Sequence, residues 1–180
     1  DMNLVGICNV ENVMAAIAIA DAMGVAWETT LEVLRGFRAV DHRIEFVATK
    51  GGVDYYNDSK GTNPDAAIKG IKAMSKPTIL IGGGYDKGSE YDEWIESFDG
   101  KVKYLVLMGQ TKEKIADCAR KHGFDAIVFV ESMEEAVAFA AKNSVAGERV
   151  LLSPCCASWG MFKNYEERGR IFKELVHKLP

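Results

Sequence analysis

The sequence predicts an α/β fold in which a mostly parallel sheet carries helices on both faces, preceded by a short helical segment. Three observations carry that prediction. From Arg43 onward, short apolar runs alternate with longer segments of helical period. Runs such as Thr78-Ile79-Leu80-Ile81 are almost continuously apolar, as strands buried on both faces are. The first two runs are joined by Thr49-Lys50-Gly51-Gly52, a turn suited to a hairpin rather than to a crossover.

Each element has its own signal. Glu11 to Met23 is alanine-rich, with Val13, Ala16, Ile17 and Ala20 on one face and Gly24 as a stop. It is apolar nearly all round, which predicts a helix buried in a larger body. A shorter helix near Thr30–Arg35 ends at Gly36, and Phe37–Asp41 leads into a different pattern. The domain boundary is placed there, giving residues 1–40 and 41–180. Strands follow at Ile44–Ala48 and Val53–Tyr56, then a helix at Pro64–Met74 that Asn63 caps and Pro64 starts. Strand Thr78–Ile81, a helix near Tyr91–Phe98, strand Tyr104–Met108 and helix Lys112–Lys121 come next, the last closed by Gly123. Strand Ala126–Val130 precedes a helix at Met133–Lys142, for which Ser132 and Glu135 predict a capping box. Strand Val150–Leu152 and a helix from about Asn164 to Lys178 complete the chain.

The bulk properties narrow the function. At 180 residues, with 48% hydrophobic and 27% charged residues, the chain is an ordinary globular size and composition. A net charge of −4 disfavours a broad phosphate-tracking surface, so no nucleic-acid partner is expected. No apolar run reaches the roughly 20 residues that span a bilayer, so no membrane partner is expected either. The spacing of Cys8, Cys118, Cys155 and Cys156 fits neither a paired CxxC zinc site nor a disulfide framework, and no metal ligands are assigned. The compartment reads as cytoplasmic. The opening Asp1-Met2-Asn3-Leu4 lacks an initiator methionine, and the chain is read as cut from a longer polypeptide.

In an open α/β sheet, ligands bind beyond the carboxyl ends of the strands. Three chemically loaded loops fall there. Asn57-Asp58-Ser59-Lys60-Gly61-Thr62-Asn63 puts an acid, two hydroxyls and an amine just before a helix N-terminus, a setting that favours an anion. Gly82-Gly83-Gly84-Tyr85-Asp86-Lys87-Gly88 permits close backbone approach, and Lys87 offers a point charge for a carboxylate. It has neither dinucleotide nor Walker spacing, because Gly88 rather than a hydroxyl residue follows Lys87. The third loop, Ser153–Lys163, mixes small residues with Trp159 and Phe162, and Tyr165 follows it. Trp159 and Tyr165 can wall a pocket, whereas Phe162 reads as core. His42, His122 and His177 occupy separate contexts, so no His-dependent triad is formed. His122 and His177 are placed on the surface at helix ends.

Taken with His42-Arg43-Ile44-Glu45, with Ser153-Pro154-Cys155-Cys156-Ala157-Ser158 and with Phe162-Lys163-Asn164-Tyr165-Glu166-Glu167-Arg168-Gly169, these loops resemble the C-terminal region of the Mur ligases. The likeness is strongest to the branch that adds D-glutamate. Gly6-Ile7-Cys8-Asn9-Val10-Glu11-Asn12 is similar to that family's G-x-H-N-x-x-N segment, which closes its central ATP-binding domain. The resemblance implies a Rossmann-like amino-acid-binding domain at 41–180, preceded by the tail of the central domain. It implies an ATP-dependent amide-bond-forming ligase of peptidoglycan synthesis, in which ATP phosphorylates a carboxylate and an amine attacks the acyl phosphate. ATP, Mg2+, D-glutamate and UDP-N-acetylmuramoyl-L-alanine would be its cofactors and partners.

Carried over by position, Lys60, Thr62, Lys87, Ser158 and Tyr165 would hold the D-glutamate. Asn9, Asn12, Arg43 and Asp58 would face the nucleotide, with Arg43 and Lys60 the catalytic candidates. Cys8 replaces the family histidine. Gly61 replaces a common alanine and is expected to loosen its loop. The DNPR signature of the diaminopimelate-adding relative is absent. The phosphate loop and the magnesium ligands would lie upstream, so the 180 residues alone are expected to fold without catalysing the reaction. Residues 1–40 are expected to expose an apolar helix. Another Mur-type or folylpolyglutamate-type ligase, or a non-catalytic Rossmann-like domain, is the alternative.

Overall fold

A computed structural model describes residues 6–37 and 40–180, with the backbone alone for Cys8. The opening tetrapeptide and the Cys8 side chain therefore lie outside the described residues. The chain divides into two compact units, Asp1–Asp41 and His42–Pro180.

In the first unit, α1 (Ile7–Ala22) packs on α2 (Trp27–Gly36). The alanine-rich segment begins one turn earlier than its sequence predicts, because Gly6 at φ 96° supplies the entry. The helix is not enclosed: Ile7, Met14, Ile19 and Met23 are 61–77% exposed, and α2 buries none of its residues.

The second unit is built on a six-stranded sheet in the order β1-β2-β6-β3-β4-β5. β1 (Glu45–Lys50) and β2 (Val53–Asn57) form the antiparallel hairpin, and every other pairing is parallel. β3 (Thr78–Gly83), β4 (Val102–Met108), β5 (Ile127–Phe129) and β6 (Arg149–Leu152) complete it. Right of centre the chain steps outward from β3 to β5, then returns to insert β6 between β2 and β3. α6 (Met133–Asn143) and α7 (Tyr165–Lys178) pack against each other over one face. Their Met133, Val137, Phe172 and Val176 meet Val53, Tyr55, Ile79, Ile81, Val106 and Val150. Strand alternation turns Leu80, Leu105 and Leu151 to the other face, also fully buried. There α3 (Pro64–Lys72), α4 (Asp92–Glu96) and α5 (Lys112–Lys121) contribute Ile71, Trp94 and Ile115.

The helix starts follow their caps. Asn63 accepts from the Ala66 amide at 2.9 Å and Asn164 from that of Glu167 at 2.8 Å. At α6 half of the predicted capping box forms. Ser132 accepts from the Glu135 amide, but Glu135 reaches past it to the Glu131 amide at 2.9 Å. Among the described residues, no helix is long and apolar enough to cross a membrane.

Candidate functional site

The sheet order decides where the chemistry gathers. β2, β6 and β3 are consecutive parallel neighbours, so the three loaded loops leave adjacent strand ends on one edge. Backbone bonds then zip them together. Gly83 N donates to Pro154 O at 2.8 Å, Tyr85 N to Ala157 O at 2.9 Å, and Cys155 N to Gly61 O at 2.9 Å. Gly84, at φ 151°, lies so close to Ala157 O that a Cβ there would overlap it. Its amide donates to Thr111 Oγ1, bringing the turn after β4 into the same cluster.

One buried guanidinium joins the first and third loops. Arg168 is 1% exposed. Its Nε donates to Ser59 Oγ at 2.9 Å, its Nη2 to Ser59 O at 2.8 Å, and its Nη1 to Cys156 O at 3.1 Å. Ser59 Oγ in turn donates to Tyr165 O at 2.7 Å. Burial lowers the pKa of Arg168 to about 10, still far above neutrality, so the cation persists. Arg168 lies in the Phe162–Gly169 segment that carries the family resemblance, which implies no role for it. The available signal is its spacing: Arg168, Phe172 and Val176 recur every fourth residue on the buried stripe of α7.

Asp58 is the second buried anchor, 4% exposed. Its Oδ2 accepts from Ser153 Oγ at 2.7 Å and its Oδ1 from the Ile44 amide at 3.2 Å. Burial pushes its pKa up to about 7, opposed by those two bonds and by the charges of Arg43 and Arg168. Both oxygens are thus engaged inside the domain, and the carboxylate braces Ile44, whose φ of 46° is unusual for a β-branched residue. Gly61 fits against this brace: a Cβ there would sit 2.7 Å from Asp58 Oδ2 and 3.0 Å from Ser153 Oγ. The glycine therefore lets the loop close on Asp58, contrary to the loosening expected of it.

The remaining candidates surround these anchors. Arg43 is exposed, beside Asp58. Lys60 and Thr62 are half-buried in the first loop, with Lys60 Nζ 5.6 Å from the centre of the Tyr165 ring. Lys87 is exposed, and its Nζ lies 5.1 Å from the centre of the Trp159 ring, which packs edge-on to Tyr85. Ser158 is buried and its carbonyl caps the turn to Phe162. Phe162 packs on the core, as its sequence context predicts. Cys155 and Cys156 are buried free thiols, and burial raises both pKa values, which leaves them poor nucleophiles. Asn9 and Asn12 belong to the first unit, half-buried and exposed respectively. The second unit thus carries Lys60, Thr62, Lys87, Ser158 and Tyr165 on neighbouring loops at one sheet edge: two ammonium groups, two hydroxyls and a phenol. Such a set suits a small dianionic ligand.

Residues 42–156 match the family described as Mur ligase, glutamate ligase domain. The chain belongs to the Mur ligase family. The UDP-N-acetylmuramoylalanine--D-glutamate ligase of Lachnospira eligens is 63% identical over 179 residues, which is 99% of this chain and 40% of that protein. The enzyme of the same name from Lachnoclostridium phytofermentans is 61% identical over the same share of this chain and 39% of its own length. The chain thus spans about 40% of the curated relatives it matches. Among solved structures, the UDP-N-acetylmuramate-alanine ligase MurC of Thermotoga maritima superposes with a TM-score of 0.72 at 18% identity, over 98% of this chain and 39% of that one. A folylpolyglutamate synthase of Mycobacterium tuberculosis complexed with ADP and AMPPCP gives 0.69 at 14% identity, over 95% and 41%. At those identities the likeness shows the shared α/β fold.

Proposed function

We propose that this Mur ligase chain is the amino-acid-binding part of a cytoplasmic, ATP-dependent ligase that adds D-glutamate to UDP-N-acetylmuramoyl-L-alanine in peptidoglycan synthesis. The observation that carries the reading is the convergence of Lys60, Thr62, Lys87, Ser158 and Tyr165 at one sheet edge, in a chain 63% identical to an enzyme of that name. A dicarboxylic amino acid needs two anionic groups held and its amine left free. Lys87 and Lys60, on neighbouring loops, are the two cationic anchors; the hydroxyls of Thr62 and Ser158 set the orientation. The folylpolyglutamate-type alternative rests on fold likeness alone.

In this reading residues 1–40 are the tail of the central ATP-binding domain and 41–180 the amino-acid domain. ATP with Mg2+ supplies the phosphoryl group that activates the acceptor carboxylate. Asn9 and Asn12 hold the adenine, and Arg43 steadies charge on the transferred group. Asp58, with both oxygens committed to Ser153 and Ile44, serves the nucleotide by fixing the backbone next to Arg43. Lys60 orients the glutamate so that its amine meets the acyl phosphate. The chain has no G-x-x-x-x-G-K-[ST] segment, so by itself it neither hydrolyses ATP nor ligates.

A two-dimensional NMR titration with D-glutamate, and L-glutamate as control, tests this. Shifts confined to Lys60–Asn63, Lys87 and Ser158–Tyr165, larger for the D-isomer, are expected. Equal responses to both isomers, or shifts elsewhere, would remove the assignment. ATP turnover by the 180 residues would contradict the division of labour.

A further inference from the structure

We propose that Cys118, His122 and Asp92 form a zinc-class metal site that clips α4 to α5. Cys118 lies in the last turn of α5 and His122, four residues on, is its C-cap residue, so the two lie on the same side of the helix end. Asp92 and Glu96 have the same spacing on the short α4 that packs against it. One ligand atom each from Asp92, Cys118 and His122 lies within 4.8 Å of the others. A tetrahedral ion with bonds of about 2.0–2.3 Å needs its donors about 3.2–3.8 Å apart, so rotations of about 1 Å complete the site.

The imidazole is already oriented for this task. Its Nε2 is 2.9 Å from Asp92 Oδ1, while its Nδ1 faces Glu96 Oε1 at 3.7 Å. A metal would replace the proton that Nε2 now shares with Asp92, and a shift of a few tenths of an ångström would bring Nδ1–H within hydrogen-bond reach of Glu96, the arrangement that fixes histidine ligands elsewhere. The fourth position opens into a surface cavity of about 350 Å³ lined by Tyr91, Lys114 and Lys121 beside Asp92 and Cys118. Lys114 is drawn off toward Asp86 at 3.5 Å. One sulfur, one nitrogen and one oxygen donor suit zinc better than magnesium or calcium.

Binding displaces the Cys118 thiol proton to solvent and leaves a metal thiolate. The structural return is clear. α4 has five residues, too few to persist by its own hydrogen bonds, and a metal would tie its first turn to the end of α5. No paired-cysteine spacing announces such a site; the sequence signal is Cys-x-x-x-His on a predicted helix, and its carboxylate partner comes from a different helix.

Cobalt(II) titration of the 180-residue chain tests the proposal, because a thiolate ligand gives an intense charge-transfer absorption. One equivalent should bind with that absorption, and Zn2+ should displace it. Cys118→Ser should abolish the band and His122→Ala should weaken binding at least as much as Glu96→Gln. Glu96→Gln should keep the band and weaken binding about 10- to 100-fold. Circular dichroism establishes that each variant is folded. Zinc at a hundredfold excess over its Kd should raise Tm by about 5–10 °C. A folded chain with no charge-transfer band overturns the site. So does a band that survives Cys118→Ser, which would assign the metal to another cysteine.

Discussion

Arg168→Met is the sharpest test of how the loops are held, since it removes the guanidinium while keeping an apolar stem in the same space. Three bonds disappear together, and the carbonyls of Ser59 and Cys156 are left in a buried site with no other partner among the described residues. Each orphaned acceptor costs about 1–3 kcal/mol, or about 2–6 kcal/mol for the pair. Part is returned, because a cation no longer has to be stripped of water. The net expectation is a loss of about 2–4 kcal/mol, lowering a urea midpoint by about 1–2 M at the m-values usual for small domains. Arg168→Lys should recover only part, since one ammonium cannot span both carbonyls. Arg170→Met, two residues on, removes only an exposed pair with Glu174 at 3.9 Å and should cost under about 0.5 kcal/mol. Hydrogen exchange should locate the Arg168 damage at Lys60–Thr62 and Ala157. A loss below about 1 kcal/mol, or protection unchanged at those amides, would refute the clamp.

Other outcomes follow from the same geometry. The carboxyl of Asp58, raised from 3.8 to about 7, binds a proton more tightly folded than unfolded. The stability it lends is full below about pH 4 and disappears as pH climbs through 7, costing about 2–3 kcal/mol between pH 5 and 8. Asp58→Asn should flatten that slope in urea melts, and parallel slopes would show that another group governs it. Gly61→Ala pushes a methyl to 2.7 Å from Asp58 Oδ2 and should cost about 1–3 kcal/mol by the same melts; a neutral result would mean the Asp58–Ser153 pair yields easily. Lys87→Ala, placed in a full-length ligase carrying this chain, should raise the KM for D-glutamate tenfold or more while that for ATP barely moves, as steady-state kinetics would report. A chain trimmed to His42–Pro180 should keep its urea midpoint, since the described core cluster draws nothing from the first unit.

Regular elements were legible in the sequence because their causes are local. Thr78–Ile81 is a strand because every side chain is apolar enough for a doubly covered sheet, and Asn63-Pro64 starts a helix by capping alone. Their neighbours in space were less so. Nothing in Arg149–Leu152 states that β6 inserts between β2 and β3, yet that insertion is what makes three loops from distant parts of the chain contiguous. The loops were recognisable by composition, whereas the interior that braces them was not. Asp58 is placed at the nucleotide by the family resemblance alone. Its carboxylate also accepts from Ile44 and Ser153, 14 and 95 residues away. The same holds for Arg168, whose partners sit 109 and 12 residues upstream. A buried charge cannot be seen until the groups that compensate it are brought together, so its purpose belongs to the fold. The half-buried Lys60 and the exposed Lys87 lie over the Tyr165 and Trp159 rings, while Asp58 and Arg168 carry the internal bonds. The loops that present them are consequently more rigid than their glycine content suggests.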